Sequence, residues 1–409
     1  MGITTTMVAI WYIQGVGLNP FQLVILGTIF EIAITICEIP TGIVADLYSR
    51  KLSMSLGYIL SGCAYLLIAL VPQFWACAAG AVIWGVGETF LSGAREAWVA
   101  DEIGHGEDEG FSADDAFVMG RQWGLYGRIA GTWISFFALL IAKGAPQIFG
   151  DSWQSFPIGL GAGLLLAFGV FVHLIYPEKG FHRSKEGFHG YRAMFDTFRQ
   201  GWKIVTTKGG LIVAIMVVFL TGLSSEPFDR LWQDLLEEHF RLPLVMGAQE
   251  FWWSLLNSLA MLLTIVVLAA MRRHRTFGTI QHTVKTLGVF NIIVFAGLLL
   301  FGLTQNIWLA MGAFLIVRTV RRAFEPLITA WINANATSNV RATLLSFAGQ
   351  TESAGEIIAG PTLGLVAGRF GNRMAMLASA GILGIGLFPL ATRLRAVPDQ
   401  NNDTEVEIK

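Results

Sequence analysis

Apolar residues in this chain come in long unbroken runs, and polar residues are confined to short gaps between them. Windows of about 19 residues, the length suited to the apolar core of a bilayer, divide the 409 residues into twelve segments. Their limits are 1–17, 22–46, 52–71, 74–99, 112–142, 153–176, 209–236, 246–270, 279–303, 306–334, 341–368 and 372–395. The runs are too long for strands, and hydrocarbon admits only helices or closed barrels, because each backbone N–H and C=O must find its partner within the chain. Turn formers fill the gaps, as in Gly17-Leu18-Asn19-Pro20, Val71-Pro72-Gln73 and Thr304-Gln305-Asn306. The pattern predicts an all-α membrane protein with twelve transmembrane helices. The first run falls below the roughly 20 residues a full crossing needs. It predicts a shortened first helix that lacks its cytoplasmic start.

Composition agrees with this picture and removes several function classes. The chain is 54% hydrophobic and only 14% charged, where a soluble domain carries about 25% charged residues. A net charge of −1 and a pI near 6.7 provide no basic field for nucleic acid. Cys37, Cys63 and Cys77 all fall inside apolar runs, so they read as small buried hydrophobes rather than disulfide partners. The chain has no P-loop, no His-Glu-x-x-His and no Cys/His metal spacing, so neither ATP-driven work nor a cofactor is expected. Gly159-x-Gly161-x-Gly163 lacks the surrounding βαβ unit of a dinucleotide loop. An enzyme is not expected.

Lys and Arg orient the spans. They gather in alternate gaps: Arg50 and Lys51; Lys179, Arg183, Lys185, Arg192, Arg199, Lys203 and Lys208; Arg272, Arg273 and Arg275; then Arg393 and Arg395. These gaps are expected to face the cytoplasm together with both termini, in a cell inner (plasma) membrane. The gap from Asp101 to Asp115 is acidic but is counted on the same side. The long hydrophilic segment 177–208 divides the chain into an N-terminal six-helix bundle (1–176) and a C-terminal one (209–395), with a tail at 396–409. The linker is expected to lie on the membrane surface and the tail to be disordered. Two bundles joined by a cytoplasmic linker match the plan of secondary transporters built from repeats.

One gap is chemically distinctive: Glu38-Ile39-Pro40-Thr41-Gly42-Ile43-Val44-Ala45-Asp46-Leu47-Tyr48-Ser49-Arg50-Lys51. Its Gly42-x-x-x-Asp46-x-x-Ser49-Arg50-Lys51 resembles the loop between the second and third helices of the major facilitator superfamily, with Ser49 where that family usually has Gly. Ser225-Glu226-Pro227-Phe228-Asp229-Arg230-Leu231-Trp232, Arg341-Ala342-Thr343-Leu344-Leu345-Ser346 and Gly360-Pro361 resemble bacterial drug-efflux-type members. Two features of antiporter members have no counterpart. The position four residues before Gly85-Val86-Gly87 is Ala81 rather than Arg, and the fifth helix has Gly120, Gly124, Gly127 and Gly131 without a Gly-Pro pair. Those glycines are expected to form a smooth face for close helix packing.

The resemblance implies a conformational latch made by Gly42, Asp46, Arg50 and Lys51. Asp46 is a carboxylate at a helix C-terminus, which the macrodipole disfavours by roughly 0.3–1 kcal/mol. Arg50 is a candidate partner. The resemblance implies a second, the N-terminus of the eleventh helix near Arg341, in the other bundle.

Charges inside the spans are costly and normally face a cavity or a partner. Glu31 and Glu38 lie seven residues apart, as do Glu88 and Arg95, and Arg121 and Arg128. That spacing stacks each pair on one helix face and predicts a buried network in the N-terminal bundle. In the C-terminal bundle, Glu226, Asp229 and Arg230 are expected in the outer half of the seventh helix. Arg318, Arg321, Arg322 and Glu325 are expected toward the inner half of the tenth. Glu352 and Glu356 are one turn apart on the eleventh, close enough to exchange a proton, with Arg341 or Arg322 as a local partner. Glu31, Glu38, Glu88, Arg128, Glu226, Asp229, Arg230, Glu352 and Glu356 are therefore the candidate substrate or proton site. Trp84, Trp98, Trp123, Trp133, Trp252, Trp253 and Trp331 lie within spans and face either lipid or a cavity. The expected protein is a monomeric secondary transporter exporting a small, partly apolar compound in exchange for protons. Proton-coupled import of a metabolite, or a non-transporting sensor with the same fold, are the alternatives.

Overall fold

The computed structural model describes residues 2–104, 113–181, 190–207, 209–274, 279–336 and 338–396. Arg183, Lys185, Lys208, Arg275, the acidic stretch 105–112 and the tail from 397 lie outside the described residues. The described chain is almost entirely helical, and its one extended pairing is an isolated bridge between Val245 and Ala248. The helices are α1 (Gly2–Ile10), α2 (Pro20–Leu47), α3 (Arg50–Leu70), α4 (Phe74–Leu91), α5 (Ala94–Gly104), α6 (Ala113–Lys143), α7 (Pro146–Phe149) and α8 (Phe156–Ile175), then α9 (Gly190–Thr207), α10 (Gly209–His239), α11 (Phe251–Arg273), α12 (Ile280–Leu303), α13 (Ile307–Arg321), α14 (Phe324–Asn335), α15 (Ser338–Phe370) and α16 (Asn372–Ala396). A π-helical turn, Trp11–Gly15, prolongs α1, and a 3₁₀ turn, Gly150–Ser155, leads into α8.

Helix ends follow local chemistry. Asn19 and Gln22 form a reciprocal capping box at the start of α2, with Pro20 in the first turn. Ser49 caps α3 by accepting from the Leu52 N–H, and Asn306 does the same for α13. Ser49 is therefore useful at the position where the family usually carries Gly.

Among the described residues, nine helical stretches are long and apolar enough to cross a membrane. The other three expected spans are helical too, each with a physical reason for falling short. The first reaches only from Gly2 to Gly15. The tenth is interrupted between α13 and α14. The eleventh, α15, has the length but carries Arg341, Glu352, Glu356 and Arg369. The linker contains a helix of its own, α9, where no regular element was foreseen; it packs on α15, α10 and α2.

Packing separates the long helices into two groups. Helices α1, α2, α3, α4, α6 and α8 pack among themselves, as do α10 to α16. Two spans break in the middle, each at a two-residue step: Ser92-Gly93 between α4 and α5, and Arg322-Ala323 between α13 and α14. Gly93 makes its turn with φ +71°, a left-handed conformation open to glycine at little cost. These are the fourth spans of the two halves, and interrupted helices at corresponding positions point to a binding site between the halves.

Contacts joining the two groups gather at one end, opposite the basic gaps; the two are called here the far end and the basic end. Phe21 and Val24 of α2 lie against Gly364 of α15, and Thr28 against Gly360. Gln14 Nε2 donates to both carboxylate oxygens of Glu237 at 3.1 Å. Lys143 Nζ donates to the Gly247 carbonyl at 3.0 Å. Trp133 and Phe136 of α6 pack edge-on against Phe251 of α11, at 5.6 and 5.8 Å between ring centres.

The glycine face expected on α6 packs only at its far-end extremity. Side chains placed at Gly120, Gly124 or Gly127 would meet nothing, whereas Gly131 lies against Gly2 and Ile3. Gly2 of α1 lies against Arg128, and the described part of α1 packs along α6 from there toward the far end.

Candidate functional site

The charges foreseen in separate halves of α10 and α13 meet. Asp229 Oδ1 accepts from Arg318 Nη1 at 2.7 Å and its Oδ2 accepts from Arg321 Nη2 at 2.9 Å. Arg318 and Arg321 occupy the last turn of α13, directly before its break. One turn of separation stacks them on one face, so a single carboxylate can serve both. On α10, Arg230 Nε lies 3.4 Å from Glu226 Oε2, four residues back. Pro227 inside α10 removes one backbone donor beside these groups. The Arg321 guanidinium also stands 5.6 Å above the Phe228 ring.

The site is completed by α15 and α2. Ser225 Oγ donates to Glu356 Oε1 at 3.3 Å. Glu352 faces Arg321, Glu325 and Asp229. Glu31 of α2 faces Arg230, Glu226, Glu356 and Glu352. Gly27, one turn away on α2, lies directly against the Arg230 and Glu226 side chains; any larger residue would occupy their space. Five carboxyl groups (Glu31, Glu226, Asp229, Glu352, Glu356) thus share the centre with three guanidiniums (Arg230, Arg318, Arg321). Glu226 is only 4% exposed, but Asp229, Arg230 and Arg318 keep 32%, 28% and 24% of their side-chain surface open. At mid-helix such exposure marks a wet space rather than lipid.

The N-terminal network takes a different form from the expected one. Trp84 Nε1 donates to Glu88 Oε1 at 3.1 Å, so a neighbouring indole serves the carboxylate, with Arg95 a more distant charge. Arg95 is exposed and reaches Tyr58 instead. Arg121 and Arg128 are exposed on α6, and Arg128 faces Arg322 as a like charge. Glu38 is exposed, two turns from Glu31, and the central cluster forms without it. The buried network thus centres on α10, α13 and α15, with Glu31 as the contribution of the first group. Glu352 and Glu356 find Arg321, not Arg341 or Arg322.

At the loop between α2 and α3, Arg50 serves a partner other than Asp46. Its Nη1 pairs with Asp101 of α5 and donates to the Ala97 carbonyl. Ser49 Oγ donates to Glu178 Oε2 at 2.7 Å, and the Lys51 N–H donates to Glu178 Oε1 at 2.9 Å. A carboxylate at the N-terminus of α3 is favourably placed for its dipole. Asp46 is exposed with no ion pair among the described residues, and Gly42 lies in open space. Arg341 is likewise exposed at the start of α15. Nothing in the sequence marked Asp101 or Glu178 as partners, because they are 51 and 127 residues distant from the groups they serve.

Of the tryptophans, Trp253 and Trp331 are fully buried, Trp98 donates to the Pro177 carbonyl and Trp252 to the Pro243 carbonyl. Trp84 packs at a tilt against Phe30 and Tyr65, at 4.3 and 5.2 Å between ring centres, with Phe30 and Trp84 half-buried and Tyr65 fully buried. Trp123 is exposed on α6.

Two groups of membrane helices that meet at a charged centre match the plan of a secondary transporter built from repeats. The chain belongs to the Major Facilitator Superfamily, whose sequence profile matches residues 1–360. It is 20% identical over 388 residues to the uncharacterized MFS-type transporter YxaM of Bacillus subtilis (strain 168), covering 95% of this chain and 90% of that protein. Its fold is similar to the crystal structure of the nucleoside transporter NupG, with a TM-score of 0.72, 14% identity, and coverage of 97% and 98% of the two chains. It is also similar to a bacterial homolog of the human lysosomal transporter Spinster, in an inward-facing and unoccupied conformation, with a TM-score of 0.73, 14% identity, and coverage of 96% and 94%. A third similar structure is a POT family transporter in complex with 5-aminolevulinic acid, with a TM-score of 0.68, 14% identity, and coverage of 97% and 93%.

Proposed function

We propose that this protein exchanges a small, charge-bearing and partly apolar compound for protons by alternating access, exporting the compound across the cell inner membrane. The carrying observation is the central cluster itself, in which carboxylates outnumber guanidiniums five to three and several remain open to water. A non-transporting scaffold has no use for so many costly charges within its spans. The guanidiniums and carboxylates suit a compound with polar groups of either sign, and the half-buried Phe30 and Trp84 rings suit an apolar portion. The surplus of carboxylates gives protons a place to reside when cargo is absent.

In this reading the structure is the inward-facing state: the far end is the outside, closed by α2 against α15, and the basic end is the cytoplasm. The exposed Asp46 and Arg341 are the two halves of a latch, joined when the cytoplasmic side closes. The same cluster favours a second reading, proton-coupled import of a polar metabolite, because the similar structures include a nucleoside transporter and one holding 5-aminolevulinic acid.

The test is reconstitution of the whole chain in liposomes with a pH-sensitive dye inside. A panel of nucleosides, short peptides, amino acids and cationic drugs is added, with and without an imposed proton gradient. Compound-dependent proton movement, abolished by Asp229→Asn, is expected. Export is shown if compound and proton move oppositely, import if together, and no movement with any compound sinks both.

A further inference from the structure

Resting on that proton-coupled reading, we infer that the Glu31–Glu356 contact is the coupling element. A single proton, held between a carboxyl of one bundle and a carboxyl of the other, fastens the far-end seal.

Three observations carry this. First, the contact joins α2 to α15, and those helices form the most continuous contact between the two groups. Second, it lies immediately beneath the seal. Glu31 follows Thr28 by three residues and Glu356 precedes Gly360 by four, and Thr28 and Gly360 touch. Third, the contacts step along the two helices, Phe21 against Gly368, Val24 against Gly364 and Thr28 against Gly360, so the next step brings Glu31 opposite Glu356, within reach of each other's charge. Two carboxyl groups can hydrogen-bond to one another only if one carries a proton, which it donates to the other's oxygen. Without it, two negative charges would face each other in a site of reduced dielectric, and the bundles would be driven apart at this point.

The surroundings hold this pair in place. Ser225 of α10 donates to Glu356 Oε1 from the side. The other charged groups facing the pair are Glu226, Asp229 and Arg230 of α10, Arg321 of α13 and Glu352 of α15. Tyr12 of the first span and Tyr65 of α3 lie near Arg230. Asp229 is occupied by Arg318 and Arg321, and Glu226 by Arg230. The nearest guanidiniums thus already have carboxylate partners, and the Glu31–Glu356 pair keeps its proton as its own counter-charge.

A cycle follows. With the far end open, one of the two carboxylates takes a proton from outside, and closure brings the pair into contact. When the basic end is open, the proton leaves toward the cytoplasm, helped by a cargo group that pairs with the freed carboxylate. The contact is lost, and the far-end seal loosens. One proton enters for each closure of the outer side.

Double electron–electron resonance tests this in the whole protein in lipid nanodiscs. Cys37, Cys63 and Cys77 are replaced by Ala, and spin labels are placed at Gln73 and Leu244 in the far-end loops of the two bundles. In the parent the short-distance population should rise at least fivefold between pH 8.5 and pH 5.5. Glu31→Gln and Glu356→Gln, each made separately, supply the hydrogen bond without a proton. Each should hold the short distance across the whole range while remaining monodisperse on gel filtration. If the parent is pH-dependent and both Gln variants keep that dependence, the pair is not the fastener, although proton-coupled transport stands. A pH-independent parent distance also overturns the proposal. Liposome assays then separate the two readings, since proton-coupled flux without pH-dependent closure leaves the function intact.

Discussion

Asp229 lies between two guanidiniums of α13, with Arg318 at 2.7 Å on one carboxylate oxygen and Arg321 at 2.9 Å on the other. This fork ties α10, two residues after its Pro227, to the end of α13, immediately before the break in that span. Removing one member of a buried pair strands the partner's charge and costs about 3–5 kcal/mol. Here each side chain keeps 17–32% of its surface exposed, so screening reduces the loss to about 2 kcal/mol. Asp229→Asn should therefore lower the thermal midpoint measured by tryptophan fluorescence in detergent and abolish transport. Arg318→Lys keeps a charge but loses the planar fork and should show an intermediate effect. Unchanged flux in Asp229→Asn would place the fork outside the transport path.

Gly27 is the point where the backbone of α2 meets the Arg230–Glu226 pair. A methyl group there overlaps the guanidinium and the carboxylate, so Gly27→Ala must displace Arg230, the more exposed of the two. The protein should still insert, since the displaced side chain is flexible. Transport should fall roughly tenfold, equivalent to about 1.4 kcal/mol. Initial rates in liposomes, normalised to protein orientation, check this. Gly120→Ala serves as control, because nothing lies near that position, and it should leave the rate unchanged.

The sequence revealed the helices well and their partners poorly. Hydropathy placed α2, α3 and α12 within a few residues, because lipid solvation acts on each run independently. The break at Ser92-Gly93 left only a faint trace in a lone Gly, and that at Arg322-Ala323 left none; both sit inside runs that otherwise read as continuous. For the site, Glu226, Asp229, Arg230, Glu352 and Glu356 were visible as charges misplaced in apolar segments. Their pairing was not, since Arg318 and Asp229 are 89 residues apart and meet only through tertiary packing. The sevenfold spacing of Glu88 and Arg95 pointed to a pair. The break at Gly93 changes the helix register between them, so each side chain found a different partner.

Gln14 and Glu237 bridge the two groups at the far end through two hydrogen bonds of 3.1 Å. If this seal opens during each cycle, joining the two positions must stop transport. Gln14→Cys/Glu237→Cys, in a background with Cys37, Cys63 and Cys77 replaced, should be inactivated by a short bifunctional thiol reagent with a cleavable linker. Cleavage of the linker should restore at least half of the flux. Full activity in the cross-linked protein would mean that the far end stays shut throughout.

Asp46 ends α2 exposed and without an ion-pair partner among the described residues, while its neighbour Arg50 is committed to Asp101 and the Ala97 carbonyl. A carboxylate beside its own helix's C-terminus is unfavourable by roughly 0.3–1 kcal/mol, and no ion pair among the described residues offsets it. The exposed Arg341 on the first turns of α15 presents the opposite charge. In the proposed latch, a contact between them forms when the basic end closes, and the penalty on Asp46 in the open state becomes a drive toward the closed one. Asp46→Asn should leave membrane abundance unchanged and reduce flux roughly tenfold, equivalent to about 1.4 kcal/mol. Arg50→Gln should differ: by freeing Asp101 it loosens the packing of α3 on α5 and should lower the thermal midpoint, which Asp46→Asn leaves in place. Exchanging the charges, as Asp46→Arg with Arg341→Asp, should recover flux relative to either single change. Equal loss in the single and exchanged variants would sink the latch while leaving the Arg50–Asp101 tie as a purely structural contact.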